Sequence, residues 1–516
     1  MEIDAVPLYK AASAPRCFMA DGKQSRPKAR TVRGFRDRAA GELAAERAML
    51  DTIRRTYESY GFDALETPFL EYTDALGKFL PDIDRPNAGV FSFRDDDEQW
   101  VSLRYDLTAP LARYVAENQQ FLPRPFRRYQ IGTVFRNDKP GPGRFREFIQ
   151  CDADTVGTAS PAADAEMLMM FADTLEALGL KRGEYAIKLN SRKLLDGVLE
   201  AAGLPVTGSD EIRARRGIVL RAMDKLDRVG TGGVRALLGA GRKDESGDFT
   251  KGADLTLGQV ERIISFIAPS AGANDIDGQL TIIGSAVEGS ENGKAGVAEV
   301  AEIMKLVTAS GYSSDRLQLD TGIVRGLDYY TGAVFEAQLT FPVQNEKGQD
   351  VVFGSVGGGG RYDDLVARFT GQKTPAVGFS IGVSRLLTAL QMRKAAVAQT
   401  APLVVVTVMD KAEMESSFAM VRELRAAGIR AEAYVGTGKM GDQFKYADKR
   451  GAALAIIEGS DERARGEITI KDLALGAELA KSVESRAAWV ANRQAQFPAK
   501  RASLVDEVRR ALKREH

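Results

Sequence analysis

The sequence is poor in the residues that build metal centres and disulfides. Its 516 residues include two cysteines, Cys17 and Cys151, and one histidine, His516. Two cysteines cannot form a disulfide framework or a cysteine zinc site, and a single histidine argues against a histidine general base or a histidine metal site. We therefore expect any chemistry to depend on arginines, carboxylates, amides, tyrosines and bound metal ions.

The chain also lacks a long apolar run and an overall charge. No apolar run reaches the ~18 residues of a membrane-spanning helix, and Glu2 and Asp4 stand where a signal peptide would be apolar, so we expect a cytoplasmic protein without a membrane partner. Lys plus Arg number 71, as do Asp plus Glu, but basic residues crowd both ends. Segments 1–32 and 476–516 are interpreted as a flexible basic extension and a basic tail, with nucleic-acid contact as the alternative.

The segment from Arg325 to Glu336 is the most informative part of the sequence. It sets Arg325, Tyr329 and Tyr330 beside flexible glycines. The planar fork of arginine matches pairs of phosphate oxygens, and a tyrosine hydroxyl can orient a heterocycle. Alone, the segment is equally consistent with a strand capped by aromatic core residues.

A second segment, Phe135–Phe148, predicts a β-hairpin. An apolar run ends in a Pro/Gly turn, and an aromatic-rich strand returns. Arg136 ends the first strand, while Arg144 and Arg146 open the second and share a face by period-two alternation. The alternative is a solvated basic face.

Two glycine-rich segments complete the pattern. Gly378–Leu386 predicts a strand of small residues leading into an apolar helix with Arg385 near its start, although such glycines often serve helix-to-sheet packing alone. Gly357–Gly360 lacks the Lys-Ser/Thr of a phosphate-binding loop and the spacing of a dinucleotide fingerprint. We interpret it as close backbone packing beside a ligand.

In this order and spacing, the segments resemble the class II aminoacyl-tRNA synthetases, and within them the histidyl-tRNA synthetase family. The hairpin resembles motif 2, Gly378–Leu386 resembles motif 3, and Arg325–Tyr330 resembles the signature peptide of the histidine enzymes. Tyr60–Glu71 resembles motif 1, which builds the dimer interface in this class. The resemblance runs from about Arg33 to the early 470s.

The resemblance implies an α+β fold: an antiparallel-sheet catalytic domain with a helical insertion, followed by a C-terminal α/β anticodon-binding domain. Strands alternating with helices after an Ala-rich linker independently predict that last domain, with parallel strands. The expected boundaries are 33–194 and 311–394 for the catalytic domain, 195–310 for the insertion and 402–475 for the anticodon-binding domain.

The activity that the resemblance implies is ATP-dependent ligation of L-histidine to histidine tRNA through a histidyl-adenylate, with AMP and pyrophosphate released. The implied partners are histidine, ATP, histidine tRNA and a second copy in a homodimer; Mg²⁺ is expected on the β- and γ-phosphates, bound mainly by ATP, with no protein metal ligand. The implied catalytic residues are Arg136, Arg325 and Gln150. The implied ATP-binding residues are Arg136, Asp138, Arg144, Phe148 and Arg385. The implied histidine-binding residues are Asp106, Thr108, Gln150, Asp154, Arg325, Tyr329 and Tyr330.

These residue types suit the reaction. Attack of a carboxylate on the α-phosphate brings anions together, so positioned arginines must neutralise charge as it develops. Reading both imidazole nitrogens requires buried acceptors or donors that penalise an analogue lacking them. The chain departs from the common pattern at Asp138, which stands where class II enzymes usually have glutamate, and at Lys139-Pro140-Gly141 in the hairpin loop, which is closer to the eukaryotic type.

Two other functions are compatible with this pattern. The regulatory subunit of ATP phosphoribosyltransferase is synthetase-like and binds histidine without charging tRNA, but it normally lacks the anticodon-binding domain. A pure RNA-binding protein on a retired synthetase scaffold is the second, because a fold does not prove an activity. Pyrophosphate exchange separates both from the enzyme.

Overall fold

The computed structural model describes residues 28–76, 89–141, 145–243, 248–268, 275–323, 330–344, 350–351, 354–393, 401–410, 414–473, 475–476 and 495–513. The chain divides into two compact units, Met1–Ala398 and Gln399–His516. Within the described residues, no helix combines the length and apolar character needed to cross a membrane.

The first unit mixes helices and strands. Its helices are α1 Ala40–Ser59, α2 Thr108–Asn118, α3 Pro161–Ala177, α4 Arg192–Ala201, α5 Asp210–Met223, α6 Leu226–Leu238, α7 Leu257–Ile267, α8 Ile276–Ala286, α9 Glu291–Ala309, α10 Ala367–Thr370 and α11 Val383–Met392. Its strands are β1 Asp63–Ala64, β2 Leu70–Tyr72, β3 Ser92–Arg94, β4 Trp100–Leu103, β5 Phe126–Phe135, β6 Glu147–Val156, β7 Tyr185–Ser191, β8 Gly241–Lys243, β9 Phe249–Lys251, β10 Leu317–Leu319, β11 Ala333–Leu339, β12 Val343–Gln344, β13 Asp350–Val351, β14 Ser355–Arg361 and β15 Ala376–Gly382.

An eight-stranded sheet forms the centre of this unit, in the order β1-β5-β6-β15-β14-β11-β7-β10. The inner pairs are antiparallel, and only the edge pairs β1–β5 and β10–β7 are parallel. The hairpin predicted around residues 135–148 is confirmed, because β5 and β6 pair over ten residues each, from Phe126 opposite Val156 to Phe135 opposite Glu147. The antiparallel-sheet fold expected of the catalytic domain is therefore present.

One face of the sheet is apolar and carries helices. Phe379 of β15 stacks on Phe171 of α3 with ring centroids 4.5 Å apart, and Tyr57 of α1 meets the same ring edge-on at 5.6 Å. Helix α3 starts where it does because the Ser160 side chain accepts a hydrogen bond from the Ala162 amide (3.3 Å) and Pro161 occupies the first turn. With this face buried, ligands have access only to the opposite face.

The glycines of β14 pack closely against neighbouring backbone, as the sequence predicts. A Cβ atom added to Gly359 would lie 2.1 Å from the Gly378 carbonyl oxygen. One added to Gly360 would lie 2.8 Å from the Tyr330 ring. Any side chain would therefore push apart two strands or displace the tyrosine.

Helices α4 to α9 lie between β7 and β10 in the chain and cover the predicted insertion. Helix α9 packs on both α3 and α4, and the buried apolar residues of these helices join those of the sheet in one core. Close contact between α4 and α9 depends on glycine, since a Cβ on Gly197 would lie 2.3 Å from the Gly293 Cα. Strands β2, β4 and β3 form a separate three-stranded sheet in that order.

The second unit is an α/β domain with a mixed sheet. Its elements are β16 Leu403–Val406, α12 Met414–Ala426, β17 Ala431–Ala433, α13 Met440–Lys449, β18 Ala452–Ile457, α14 Ser460–Ala464, β19 Glu467–Asp472, β20 Gln496–Lys500 and α15 Leu504–Leu512. The sheet order is β17-β16-β18-β19-β20, and β16 pairs with β17 and β18 in parallel. The predicted parallel strands are confirmed there, whereas β18–β19 and β19–β20 are antiparallel.

The interpretation of residues 476–516 as a tail is wrong for residues 495–513. Strand β20 pairs with β19, and α15 buries Leu504, Val508 and Ala511 in the core of the domain. The basic residues misled the prediction because they lie on the solvent side of an amphipathic helix, whose apolar residues recur at intervals of three and four.

Candidate active site

The polar face of the central sheet forms a floor of glycines interrupted by a few polar side chains. Residues opposite one another on neighbouring strands share a face of a sheet. Two such rows cross β5, β6, β15 and β14, namely Arg128-Asp154-Gly378-Gly360 and Gln130-Asp152-Ser380-Gly358, and a third, Gly132-Gln150-Gly382, crosses β5, β6 and β15. The glycines make room for the side chains beside them, since a Cβ on Gly378 would lie 2.0 Å from Asp154 Oδ1. Gln150, Asp152 and Asp154 stand side by side along β6, because alternate residues of a strand share a face.

Asp154 is held by two groups that hydrogen-bond or neutralise it. The Arg128 Nη2 atom lies 2.9 Å from Asp154 Oδ2 and donates to the Leu107 carbonyl oxygen at 2.9 Å, and the Tyr362 hydroxyl donates to Asp154 Oδ1. Asp154 is 2% exposed and Arg128 is fully buried. Burial raises the pKa of Asp154 above its ordinary value, while Arg128 and Tyr362 oppose that rise. Such a carboxylate is fixed in position and oriented toward the floor.

Asp152 is a second buried carboxyl in the centre of this floor, 2% exposed. Burial, followed by the charge of Asp154, raises its pKa to about 7, against the opposing effects of Arg128 and of a hydrogen bond with Ser380. Its Oδ1 atom has no hydrogen-bond partner among the residues that the structure describes.

Gln150 stands beside Asp152 at the hairpin end of the floor. Its Nε2 atom donates to the Ser380 hydroxyl, and its buried Oε1 atom has no partner within the described part of the chain. An unpartnered buried oxygen is costly, so a ligand donor is needed to satisfy it. The amide is therefore fixed on one side and available on the other.

Asp106 and Thr108 lie where the chain enters α2. The Asp106 Oδ1 atom accepts a hydrogen bond from the Ala109 amide at 3.0 Å, and both side chains are half-buried. The pKa of Tyr330 is raised by burial and then by Asp152, Asp154 and Asp106, in that order. Tyr330 therefore lies near enough to the three carboxyls to experience their charge.

Arg136 borders this space on the side of the hairpin loop. Its guanidinium carbon lies 4.4 Å from the centroid of the Tyr105 ring and 5.2 Å from that of Phe148, and its Nε atom donates to the Tyr105 carbonyl oxygen at 3.2 Å. These contacts use one donor and leave the fork of the guanidinium oriented by two aromatic rings. An oriented guanidinium of this kind is suited to bind a phosphate or carboxylate.

Asp138 and Arg146 face each other across the hairpin. The Arg146 Nε atom donates to the Asp138 carbonyl oxygen at 3.0 Å, and the Arg146 amide donates to the Gly34 carbonyl oxygen at 2.9 Å. Arg146 therefore supports the hairpin loop and the segment around Gly34 that precedes α1. It does not form the solvated basic face of the alternative interpretation. Arg385 is the third residue of α11 and is exposed.

Taken together, the geometry sets a row of buried acids and an amide on one face of the sheet next to a guanidinium that contacts two aromatic rings. The first part is suited to N–H donors of a small polar molecule, and the second to an anion beside a planar ring. A family model described as "Histidyl-tRNA synthetase" matches residues 34–386, and one described as "Anticodon binding domain" matches residues 403–493. The chain belongs to the histidyl-tRNA synthetase family.

Relatives of this family match nearly the whole chain. A histidine--tRNA ligase of Methylocella silvestris is 57% identical over 96% of this chain and 100% of its own length, and one of Brucella abortus is 57% identical over 96% and 98%. The crystal structure of histidyl-tRNA synthetase from Nostoc sp. PCC 7120 superposes with a TM-score of 0.69, at 31% identity over 94% of this chain and 100% of that chain. A Bacillus halodurans structure titled as an ATP phosphoribosyltransferase regulatory subunit/histidyl-tRNA synthetase shares the fold at 21% identity and a TM-score of 0.64, over 84% of this chain and 99% of that one.

The structure brings together most of the residues that the family resemblance singles out. Those found around the floor or the hairpin are Asp106, Thr108, Arg136, Asp138, Phe148, Gln150, Asp154 and Tyr330. Three others, Arg144, Arg325 and Tyr329, lie outside the described residues. The roles assigned to all of them stay predictions.

Sequence reasoning missed the side chains that hold the site together. Arg128, Tyr362, Ser380 and Asp152 all lie on the floor, and none was singled out. A signal existed for one of them, because period-two alternation along the second hairpin strand places Asp152 on the same face as Gln150 and Asp154. Arg128 lies opposite Asp154 across the β5–β6 hairpin, whereas Tyr362 and Ser380 come from distant segments that only the sheet order brings close.

Proposed function

We propose that this protein activates histidine with ATP on the glycine floor and transfers it to histidine tRNA. The reaction is ATP-dependent ligation of L-histidine to its tRNA through a histidyl-adenylate, with release of pyrophosphate and AMP. One observation carries this proposal: Gln150 and Asp154, four residues apart on one strand, are buried on the same face of the sheet, beside the oriented guanidinium of Arg136. The relatives that match this chain over almost their full length are named histidine--tRNA ligases. This supports an enzyme rather than a regulatory subunit or a scaffold protein.

Histidine would lie along β6. Asp154, fixed by Arg128 and Tyr362, accepts a hydrogen bond from the imidazole ring, and Tyr330 closes over the other side of the ring. Asp106, Thr108 and the free Oε1 of Gln150 hold the α-amino end, and the fork of Arg136 binds the carboxylate. Because these groups are held before the ligand arrives, little ordering cost remains on binding.

ATP would extend from the floor toward the hairpin. Arg136 and Arg325 neutralise the α-phosphate as the histidine carboxylate attacks, and Gln150 helps to position that carboxylate. Adenine stacks on Phe148 with Asp138 near its amino group, Arg144 lies by the outer phosphates and Arg385 holds the γ-phosphate. Stacking on Phe148 requires adenine to share that ring with Arg136, whose guanidinium already lies 5.2 Å from the ring centroid.

Mg²⁺ would take its ligands mainly from ATP. Within the described residues no three acids, histidines or cysteines converge in the way a protein metal cage requires. The phosphates and water are therefore the fitting ligands, and the ion supplies positive charge to the β- and γ-phosphates when bound.

A homodimer is supported by the small sheet formed by β2, β4 and β3. Exposed apolar side chains gather on and beside it: Phe69, Leu70, Tyr72, Phe93 and Trp100 are between 44% and 59% exposed. Strand β2 of this sheet overlaps the end of the segment that resembles motif 1, Tyr60–Glu71. A second copy of the chain would cover these side chains, and sedimentation at micromolar concentration should give a dimer that Leu70→Glu with Tyr72→Glu converts to monomer.

The remaining assignments concern RNA and location. Residues 195–310 would contact the acceptor arm of tRNA and the second unit would bind the anticodon, following the family resemblance. Two cysteines in 516 residues, with Cys151 buried and free, suit the reducing cytoplasm.

The deciding experiment is exchange of labelled pyrophosphate into ATP with each of the twenty amino acids, without tRNA. Exchange that depends on histidine alone is expected, followed by acylation of histidine tRNA when RNA is added. Histidine binding without exchange would instead support the regulatory function, and absence of both would support a retired scaffold.

A further inference from the structure

Asp152 is a buried acid in the active site that the proposed division of roles does not use. It lies on β6 between Gln150 and Asp154, and the period of two puts all three side chains on the same face. Its neighbours across the sheet are Gln130 and Ser380. A carboxyl at the centre of a ligand floor is costly to bury, so its presence needs a reason beyond packing.

The charges around Asp152 are unbalanced. Arg128 is the guanidinium that acts on it from β5, and that cation is already paired with Asp154 at 2.9 Å. Asp154 and Asp106 act on it with like charge, and Tyr330 and the buried Tyr57 of α1 lie near enough to experience its charge. Two buried carboxyls thus share one cation, which favours a single proton on the pair.

The hydrogen bonds of Asp152 are also incomplete. It has a hydrogen bond with Ser380, and Oδ1 has no partner among the residues that the structure describes. The charge of Asp152 raises the pKa of Tyr330, the residue assigned to the imidazole ring, more than the charge of Asp154 does. The Asp152 carboxyl therefore lies near the tyrosine that is assigned to the ring.

We propose that Asp152 is a further specificity-determining residue, which shares one proton with a ring nitrogen of the bound histidine while Asp154 accepts the hydrogen bond of the other ring N–H. This inference rests on the proposed function. With one proton between them, the pair is either a carboxyl donating to neutral imidazole or a carboxylate accepting from imidazolium, and both forms give Asp152 Oδ1 a hydrogen-bond partner. A ring with one nitrogen, or none, would leave a buried carboxyl unsatisfied.

Proton exchange on binding follows from this arrangement. At pH 8 the free carboxyl, whose pKa is about 7, is mostly ionised and free imidazole is mostly neutral. Forming the complex then takes up about one proton from solvent. Below pH 6 both free partners are protonated, so binding releases about one proton instead.

The test is calorimetry of histidine binding at pH 8 in two buffers with different ionisation enthalpies, which counts protons taken up. The wild type is expected to take up close to one proton, and Asp152→Asn close to none, with histidine bound roughly 10- to 100-fold more weakly. Asp63→Asn is the matched control, since Asp63 is an exposed acid on β1 of the same sheet, and it should retain the uptake.

Three results would overturn the proposal: no uptake by the wild type, the same uptake by Asp152→Asn, or loss of uptake in the control. If Asp152→Asn does not fold, Ser380→Ala serves instead, because loss of its hydrogen bond should raise the pKa of Asp152 and reduce the uptake at pH 8; unchanged uptake contradicts the proposal. Failure of the wild type to exchange pyrophosphate would count against the proposed function. If the wild type exchanges pyrophosphate normally but takes up no proton when histidine binds, only the role proposed for Asp152 is contradicted.

Discussion

Replacing Arg128 with methionine should reveal how much the buried carboxyls depend on one guanidinium. Arg128 is fully buried, forms an ion pair with Asp154, donates a hydrogen bond to the Leu107 carbonyl oxygen, and also opposes the raised pKa of Asp152. Without it, two neighbouring carboxyls remain buried and lose the one cation that, within the described residues, acts on both of them. Removing one partner of a buried ion pair typically costs ~3–5 kcal/mol, and methionine fills most of the lost volume, so we expect a loss in this range at pH 8.

The pH dependence gives the sharper result. A carboxyl whose pKa is raised by folding binds more protons in the folded state than in the unfolded state, so stability rises as pH falls through the folded-state pKa. In Arg128→Met the carboxyl pKa values should rise further. As the pH falls from 8 to 6, the free energy of unfolding of the variant should rise relative to that of the wild type. The expected rise is up to about 1.4 kcal/mol per pH unit for each extra proton that the folded variant binds.

Unfolding of the full chain by guanidinium chloride at pH 8, 7 and 6 measures this difference in stability, with the transition of the first unit fitted separately. Arg54→Met is the matched control, because Arg54 forms ion pairs with Asp51 and Glu58 on the exposed side of α1. It should change stability little and equally at each pH. A loss below about 1 kcal/mol in Arg128→Met, or a loss independent of pH, would refute this account of the site.

Three further outcomes are expected. Gly378→Ala should weaken histidine binding at least tenfold with a smaller effect on ATP binding, because its Cβ would lie 2.0 Å from Asp154 Oδ1. The control Gly284→Ala has open space around its Cβ and should bind histidine normally. Titration calorimetry compares the two variants, and equal histidine affinities would contradict the geometry of the site. Leu504→Ala should destabilise the second unit by ~2–5 kcal/mol while exposed Arg510→Ala does not, and a tail without tertiary contacts would show no difference in denaturant unfolding. Arg325→Ala should slow pyrophosphate exchange about 10²–10³-fold with folding intact, and near-normal exchange would contradict its assigned role. Asp154→Ala should weaken histidine binding far more than ATP binding, and equal losses of affinity for the two ligands would contradict its assigned role.

The sequence by itself determined the fold class, the family and the strands that carry the site. The hairpin from Phe135 to Phe148 could be read locally, since turn residues and alternation act over a few positions. The glycines of β14 could be interpreted as close packing for the same reason, because a residue without a Cβ indicates a backbone contact wherever it occurs in a strand.

Only the tertiary structure decided which side chains complete the site and what the end of the chain does. Tyr362 and Ser380 reach Asp154 and Asp152 from segments far apart in sequence, through a sheet order that no local pattern specifies. Arg128 instead faces Asp154 across the β5–β6 hairpin, and only the structure shows that the two are paired and buried. The raised pKa of Asp152 is likewise a consequence of burial and of neighbouring charge. In the same way, residues 495–513 look like a basic tail until β19 supplies a pairing edge and the domain core supplies an apolar surface for α15.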